Sequence, residues 1–315
     1  MVDKGLFFDS ATLYYRAYYA VPESIVAPDG TPSGAVRGFL DMVSTLSEQF
    51  ASNTVVFAWD DDWRPQWRVD LLETYKAHRV VEIDSSGESI EEVPDTLSPQ
   101  IEAIGQILDA IGLPRIGQIG FEADDILGSL IAQKQMSADV VTGDRDLLQL
   151  VSDEQLKRVI SITKGVKKLE VFDDEAMRTK YGISGAEYVD FSVLRGDPSD
   201  GLPGVKGIGE KTASNLIRQF GSIETLLTSI LDESISISPS VRNNLKASVD
   251  YIAKAKKVVT LRKDAQLPQD LTMPNTPKNP DLLQQLIERW GISRQVNRLL
   301  HAVSISQSVE EDNHE

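Results

Sequence analysis

Phe121-Glu122-Ala123-Asp124-Asp125-Ile126-Leu127-Gly128-Ser129-Leu130, then Asp139-Val140-Val141-Thr142-Gly143-Asp144-Arg145-Asp146, decide how this chain is read. From Ala123 to Gln135 the residues Ile126, Leu127, Leu130 and Ile131 recur at helical spacing, which predicts a helix with one buried face. Asp139 to Thr142 predicts a buried strand that stops at Gly143-Asp144. Acids therefore cluster where a helix opens and where a strand ends. The same arrangement recurs upstream. Leu6-Phe7-Phe8 reads as a buried strand ending at Asp9, with a helical stretch through Tyr19; Thr54 to Trp59 reads as another strand and stops at Asp60. Helical patterns over Ala35–Phe50 and from about Pro99 to Ile111 separate these runs. Strands alternating with helices predict an α/β domain with a mostly parallel central sheet flanked by helices. Ligands of such sheets bind outside the carboxyl ends of the strands, where Asp9, Asp60, Asp144 and Asp146 are expected.

Downstream, Val159–Ile162, a turn at Lys164-Gly165 and Lys168–Val171 predict a β-hairpin. The pattern then becomes helical over Ala186–Leu194, Glu210–Phe220, Ile223–Leu231, Ser240–Leu261 and Asp281–Trp290. This gives an α/β domain over residues 1–180, a helical domain over 181–304 and an acidic, disordered tail over 305–315. The segment from about Val80 to Thr96 is polar and acidic and is expected to be a mobile excursion. Phe7, Phe8, Tyr14, Tyr15, Tyr18 and Tyr19 are read as core; Trp63 and Trp67 fit either core or site.

The 315 residues contain no Cys and only His78, His301 and His314, which excludes disulfide scaffolds, thiol nucleophiles and Cys/His zinc sites. No apolar run reaches the length of a membrane span and no signal peptide is evident, so a soluble, cytoplasmic protein is expected. The net charge of −16 is unevenly spread. Residues 1–180 hold 17 Lys+Arg against 31 Asp+Glu, whereas residues 181–309 hold 15 against 13. The acid is concentrated in the half that carries the clusters.

Nine acids make up those clusters: Asp9, Asp60, Glu122, Asp124, Asp125, Asp144, Asp146, Asp197 and Asp200. Asp60 is preferred over Asp61 and Asp62 because it directly ends its strand. Carboxylates converging in one pocket repel unless they share hard multivalent cations, which for oxygen-only ligands means Mg²⁺ or Mn²⁺. Metal-assisted attack on a phosphodiester is the chemistry that best justifies such a site. Asp9, Asp60, Glu122, Asp124 and Asp144 are expected as direct ligands, with the others acting through metal-bound water. Asp197-Pro198-Ser199-Asp200 also reads as a capped turn. Lys76 and Arg79, in Tyr75-Lys76-Ala77-His78-Arg79, supply positive charge.

Four stretches together resemble the 5′-nuclease (flap endonuclease) family, which includes the nuclease domain of bacterial DNA polymerase I and phage 5′-exonucleases: LFFDSATLYYRAYYA, YKAHR, GFEADDILGSL with VTGDRDLLQL, and RGDPSDGLPGVKGIGEKTA. The stretch AWDDDWRPQWRVDLLETYKAHRV further resembles free-standing actinobacterial members, and no polymerase region follows. The resemblance covers roughly residues 4–300. It implies a PIN-like α/β fold with a flexible helical arch at about 75–97 and a helical DNA-binding domain with a helix-hairpin-helix at about 201–220. It implies that all nine acids bind two or more divalent ions, that Lys76 and Arg79 contact the scissile phosphate, that Tyr75 stacks on a base, and that Arg16 holds a phosphate. Gly204, Lys206, Gly207, Gly209 and Lys211 would hold duplex DNA by its backbone, with K⁺ bound at the hairpin. The implied activity is metal-dependent cleavage at the 5′ ends and flaps of DNA, including RNA-primed strands, by a nucleoid-associated monomer in primer removal and repair.

Two rival readings stay open on the sequence alone. A PIN-type ribonuclease shares the acidic pocket and sheet but usually carries about four acids and lacks a hairpin-bearing second domain. A non-catalytic branched-DNA binder would use the pocket only to place metal.

Overall fold

A computed structural model describes residues 4–83 and 89–311, with side chains as far as Val303. In chain order the strands are β1 (Lys4–Asp9), β2 (Thr54–Ala58), β3 (Val80–Ile83), β4 (Ser89–Glu91), β5 (Arg115–Ile116), β6 (Ser137–Thr142), β7 (Lys157–Ser161) and β8 (Glu170–Phe172). The helices are α1 (Ser10–Ala20), α2 (Gly34–Gln49), α3 (Gln66–Leu71), α4 (Ser98–Ile111), α5 (Ala123–Gln133), α6 (Asp174–Tyr181), α7 (Tyr188–Arg195), α8 (Glu210–Phe220), α9 (Ile223–Ser229), α10 (Pro239–Ala247), α11 (Val249–Val259), α12 (Pro280–Trp290) and α13 (Ser293–Glu311). No helix among the described residues is long and apolar enough to cross a membrane.

The main sheet has the order β5-β2-β1-β6-β7-β8 and is parallel except for β8, which pairs antiparallel with β7 as the expected hairpin. Its central strands are apolar at consecutive positions because both faces are covered. Leu6 and Phe8 point into one cluster with α1, α2 and α4, while Phe7 points into the other with α5 and α7. Phe8 stacks on Phe57 at 5.1 Å, inside a fully buried layer. Truncating such a ring to alanine typically costs roughly 3–5 kcal/mol. Strand register, more than either core, positions the acids. Asp9 pairs with Ala58 and Phe8 with Val141, so β1, β2 and β6 end at one edge of the sheet.

The helical residues beyond 181 do not form one body. Helices α6 to α11 cover the Phe7 face, with Tyr188, Phe191, Ile217 and Ile252 in the same cluster as Val56 and Val140. Helices α12 and α13 return to the opposite face, where Leu286, Trp290, Val296 and Leu299 join Leu6, Phe39 and Leu108. The expected unit 181–304 therefore divides near residue 271, because two amphipathic helices find their apolar partner on α2 and α4. The stretch Ser240–Leu261 is two helices that meet at Ser248. The backbone of 305–311, expected as a disordered tail, continues α13, while 312–315 lie outside the described residues. The expected helical arch is replaced, among the described residues, by a 3-10 turn (Ala77–Arg79) and an antiparallel ribbon of β3 and β4; residues 84–88 lie outside the description. Val80-Val81-Glu82-Ile83 alternates branched apolar and acidic residues, a pattern that suits a strand better than a helix.

Candidate active site

A cleft of about 680 Å³ opens at the carboxyl ends of β1, β2 and β6 and is walled by α1, the turn after β2, the start of α5 and the Tyr75–Arg79 segment. Asp9, Asp60, Glu122, Asp124 and Asp144 all line it, with Arg16, Lys76 and Arg79 at its rim. These are the five acids expected as direct ligands.

Each acid is placed by a local rule. Asp9 ends β1 and caps α1, accepting the Thr12 N–H at 3.2 Å and the Thr12 hydroxyl. The Thr142 hydroxyl donates to the other side of Asp9 at 2.7 Å and accepts the Asp144 N–H at 2.8 Å. One threonine at the end of β6 thus ties two cleft acids together. Asp60 accepts the Ala123 N–H at 2.7 Å, which joins the end of β2 to the opening of α5. Of its neighbours, Asp61 is exposed and Asp62 accepts the Gly120 N–H at 3.0 Å, bracing the loop before α5.

The electrostatics are those of a crowded anionic site. Burial, together with the Glu122 and Asp9 charges and opposed by Lys76, pushes the Asp60 carboxyl up to about 7. Burial and the Asp200 charge push Asp144 up to about 6. Asp124 is raised well above the carboxylate range by burial and then by Asp144 and Asp9. Glu122 is the exception. Its burial opposes ionisation, but Lys76 and Arg68 outweigh it and hold the carboxyl below its usual value. Glu122 pairs with Lys76 through Oε2, lies 3.1 Å from Arg68 through Oε1, and accepts the Tyr75 hydroxyl at 2.9 and 3.1 Å.

The remaining four acids do not line the cleft. Asp146 is buried beneath Asp144, its N–H bonded to Asp144 at 2.8 Å, and is raised by burial and by Asp144, Asp200 and Asp197. Asp200 lies behind Lys76: its carbonyl accepts the Lys76 N–H at 3.0 Å and its carboxylate takes Arg79 at 3.2 Å. Burial raises Asp200, with Lys76 opposing. Asp125 and Asp197 correct the expectation that all nine acids turn toward metal. Asp125 is 0 % exposed and bidentate to Arg68 at 2.8 Å for both bonds. Asp197 is taken by Arg145 at 2.9 Å and Arg195 at 3.1 Å, and caps the following turn at Ser199.

Tyr75 is a further correction. It is 5 % exposed and packed in the Phe7 core, so its ring is not placed to stack on a base. Tyr15 and Tyr19, read as core, instead line the cleft, Tyr19 with 75 % exposure. Arg16 donates to the Thr163 carbonyl at 3.0 Å and has its Nε buried without a partner. Lys76 adopts a left-handed conformation at φ 46°, which directs its ammonium inward. That geometry is held because Thr74 and Lys76 lie against Gly201, where a Cβ would collide with the Thr74 carbonyl.

The oxygen-only donor set, with carboxylates made reluctant to ionise by one another, fits hard divalent cations. Among the described residues no three acids close round one point as a complete cage. They line an open wall, as suits an ion that keeps part of its water.

Next to the cleft, Gly204 (φ 70°) and Gly207 (φ 76°) make the two turns ahead of α8, while Gly209 (φ −90°) is its N-cap and offers no capping side chain. A Cβ at Gly204 would come 2.5 Å from the Arg195 carbonyl, and the Tyr251 hydroxyl accepts the Gly204 N–H at 2.9 Å. Lys206 and Lys211 are exposed beside these turns. An uncapped helix start flanked by cations is suited to phosphate oxygens.

Two family models match the chain: 5′-3′ exonuclease, N-terminal resolvase-like domain, over residues 4–182, and 5′-3′ exonuclease, C-terminal SAM fold, over residues 183–281. A Streptomyces coelicolor protein named 5′-3′ exonuclease is 47 % identical over 296 residues, covering 94 % of this chain and 98 % of its own. A Mycobacterium tuberculosis protein of the same name is 40 % identical over 306 residues, covering 94 % and 96 %. Among solved structures, the bacteriophage T5 D15 flap endonuclease, in a pseudo-enzyme-product complex with DNA and metal ions, superposes with a TM-score of 0.61. It is 16 % identical, and the match covers 96 % of this chain and 99 % of the phage protein.

Proposed function

The chain belongs to the 5′-3′ exonuclease family, and from that premise we propose that it is a metal-dependent, structure-specific nuclease that hydrolyses phosphodiesters at the 5′ ends and flaps of DNA. The observation that carries this reading is the convergence of Asp9, Asp60, Glu122, Asp124 and Asp144 on one cleft whose rim bears Lys76, Arg79 and Arg16. Asp9, Asp60, Glu122, Asp124 and Asp144 would hold two or more Mg²⁺ or Mn²⁺ ions, with Asp146 and Asp200 behind them. When bound, such ions supply a water of lowered pKa and compensate charge on the phosphate.

The protein's own residues do the rest. Lys76 and Arg79 draw the scissile phosphate to the rim and offset its charge. Asp200 keeps both cations aimed there through its carbonyl and carboxylate. Burial excludes bulk water from the acids, which strengthens every charge interaction among them. Gly204, Gly207, Lys206, Lys211 and the start of α8 grip the downstream duplex by its backbone, with K⁺ at the same turns. The protein acts as a monomer in the cytoplasm, at the nucleoid, on 5′ flaps that include RNA-primed strands.

A PIN-type ribonuclease is the competing reading. The helical layer carrying Lys206 and Lys211 favours the flap nuclease, because it adds a duplex-sized surface beside the cleft. Cleavage of a DNA 5′ flap alongside an RNA hairpin, under the same Mn²⁺ concentration, tests the choice. Preference for the flap is expected; cleavage of the hairpin alone would refute it.

A further inference from the structure

Arg68 is 2 % exposed and holds three chain segments with one guanidinium. Nη1 donates to Asp125 Oδ2 at 2.8 Å and lies 3.1 Å from Glu122 Oε1. Nη2 donates to Asp125 Oδ1 at 2.8 Å, and Nε donates to the Val258 carbonyl, in the last turn of α11, at 3.1 Å. Asp125 in turn accepts the Glu122 N–H at 3.1 Å and the Arg262 N–H at 2.9 Å. These bonds form a closed knot away from water. On one side is the opening turn of α5, which carries Glu122 and Asp124 into the cleft. On the other are the end of α11 and the segment after it, part of the helical layer.

We propose that Arg68, acting through Asp125, is a positioning residue that fixes the direction of Glu122 and makes it depend on how α11 is seated. The inference rests on the metal-dependent reading of the cleft. Glu122 shares its charge between two cations: Oε1 faces Arg68 and Oε2 faces Lys76, while Tyr75 reaches both oxygens. When Lys76 turns to a phosphate, Arg68 remains to keep Glu122 ionised and aimed. A planar, permanently charged fork is the group suited to that task; an ammonium can restore the charge but not the paired geometry. Asp125 is then a clamp on the backbone of the carboxylate beside it and not a ligand.

The test uses the full chain with Arg68→Gln, Arg68→Lys, Asp125→Asn and Asp144→Asn. Mn²⁺ binding is measured by isothermal titration calorimetry without DNA, folding by circular dichroism, and kcat and KM on a DNA flap. Arg68→Gln is expected to fold, to lose about tenfold or more in Mn²⁺ affinity and in kcat, as for groups that orient a metal's ligands, and to leave KM little changed. Arg68→Lys should recover part of the Mn²⁺ affinity. Asp125→Asn keeps an acceptor for both amides and should weaken Mn²⁺ binding far less than Asp144→Asn. Wild-type Mn²⁺ affinity and kcat in Arg68→Gln would overturn the proposal, as would equal Mn²⁺ loss in Asp125→Asn and Asp144→Asn. If Arg68→Gln does not fold, the Arg68→Lys and Asp125→Asn comparisons decide on the same terms. A wild-type chain that binds Mn²⁺ but cuts no flap sinks the functional reading, and the Mn²⁺ series still judges the joint.

Discussion

The Lys76 ammonium is paired with the Glu122 carboxylate, closing one side of the cleft, while the neighbouring Tyr75 hydroxyl donates to the same carboxylate from the buried side. The two residues lie 46 positions apart, and their pairing sets the one cleft acid with a lowered carboxyl pKa beside others that are raised. The ammonium raises the ionised fraction of every acid near it and stands where a phosphate would enter.

Lys76→Met is therefore expected to lower single-turnover cleavage of a 5′ flap by roughly 10²–10³-fold, the scale set by removal of one preorganised charge stabiliser. Circular dichroism should report an unchanged fold, since Arg68 and Tyr75 still hold Glu122. A rate equal to wild type would remove Lys76 from the chemistry.

Thr142→Val should weaken both Asp9 and Asp144, because it deletes the hydroxyl that donates to one and accepts the N–H of the other. Leaving such buried groups unpaired costs about 1–3 kcal/mol each. A fall in thermal stability and turnover is expected, with Thr142→Ser restoring most of both. Equal behaviour of the Val and Ser variants would show that the hydroxyl is idle.

The acidic cluster gives a signed pH dependence. Asp60 and Asp144 have folded values of about 7 and about 6, above their unfolded ones, so the metal-free folded state binds more protons than the unfolded chain in between. Their contribution favours folding below about pH 4 and is lost as pH rises through 6 to 7, by linkage. Divalent metal should reverse this. The rise in Tm on adding Mg²⁺ is expected to be larger at pH 8 than at pH 5.5, with proton release on binding near pH 6. A pH-independent Mg²⁺ shift in calorimetry would contradict the placement of these acids at one ion site.

Lys206 and Lys211 are exposed, and no ion pair among the described residues engages them. Each substitution to alanine should weaken duplex binding regardless of sequence and reduce the slope of log K against log salt by about one. Turnover at saturating flap should stay close to wild type. An unchanged salt slope in fluorescence anisotropy would separate these lysines from the phosphate contacts.

Much of the site was legible in the chain because parallel sheets leave little choice. Asp9, Asp60 and Asp144 each follow an apolar run, and strands of one parallel sheet end at a common edge. What stayed hidden was orientation. Asp124 and Asp125 are adjacent, yet a helix turns about 100° per residue, so one faces the cleft and the other faces Arg68, 57 positions away. Thr142 carries no signal of its role, because threonine in a strand is ordinary. Tyr19 and Phe8 look alike in an aromatic-rich stretch, although helix phase sends the first to the cleft mouth. The return of α12 and α13 to the opposite face of the sheet was hidden as well: amphipathic spacing shows that a helix has an apolar face, not which surface receives it.

The central claim is that these acids gather divalent cations to cut a strand at its 5′ side, and product mapping on a 5′-labelled DNA flap tests it most directly. With Mg²⁺ or Mn²⁺ the account predicts release of a short labelled product from cleavage at the junction, no product with chelator, and none from Asp144→Asn even though that variant still binds the flap. Labelled product of the same length and yield in chelator, or from Asp144→Asn, would contradict it.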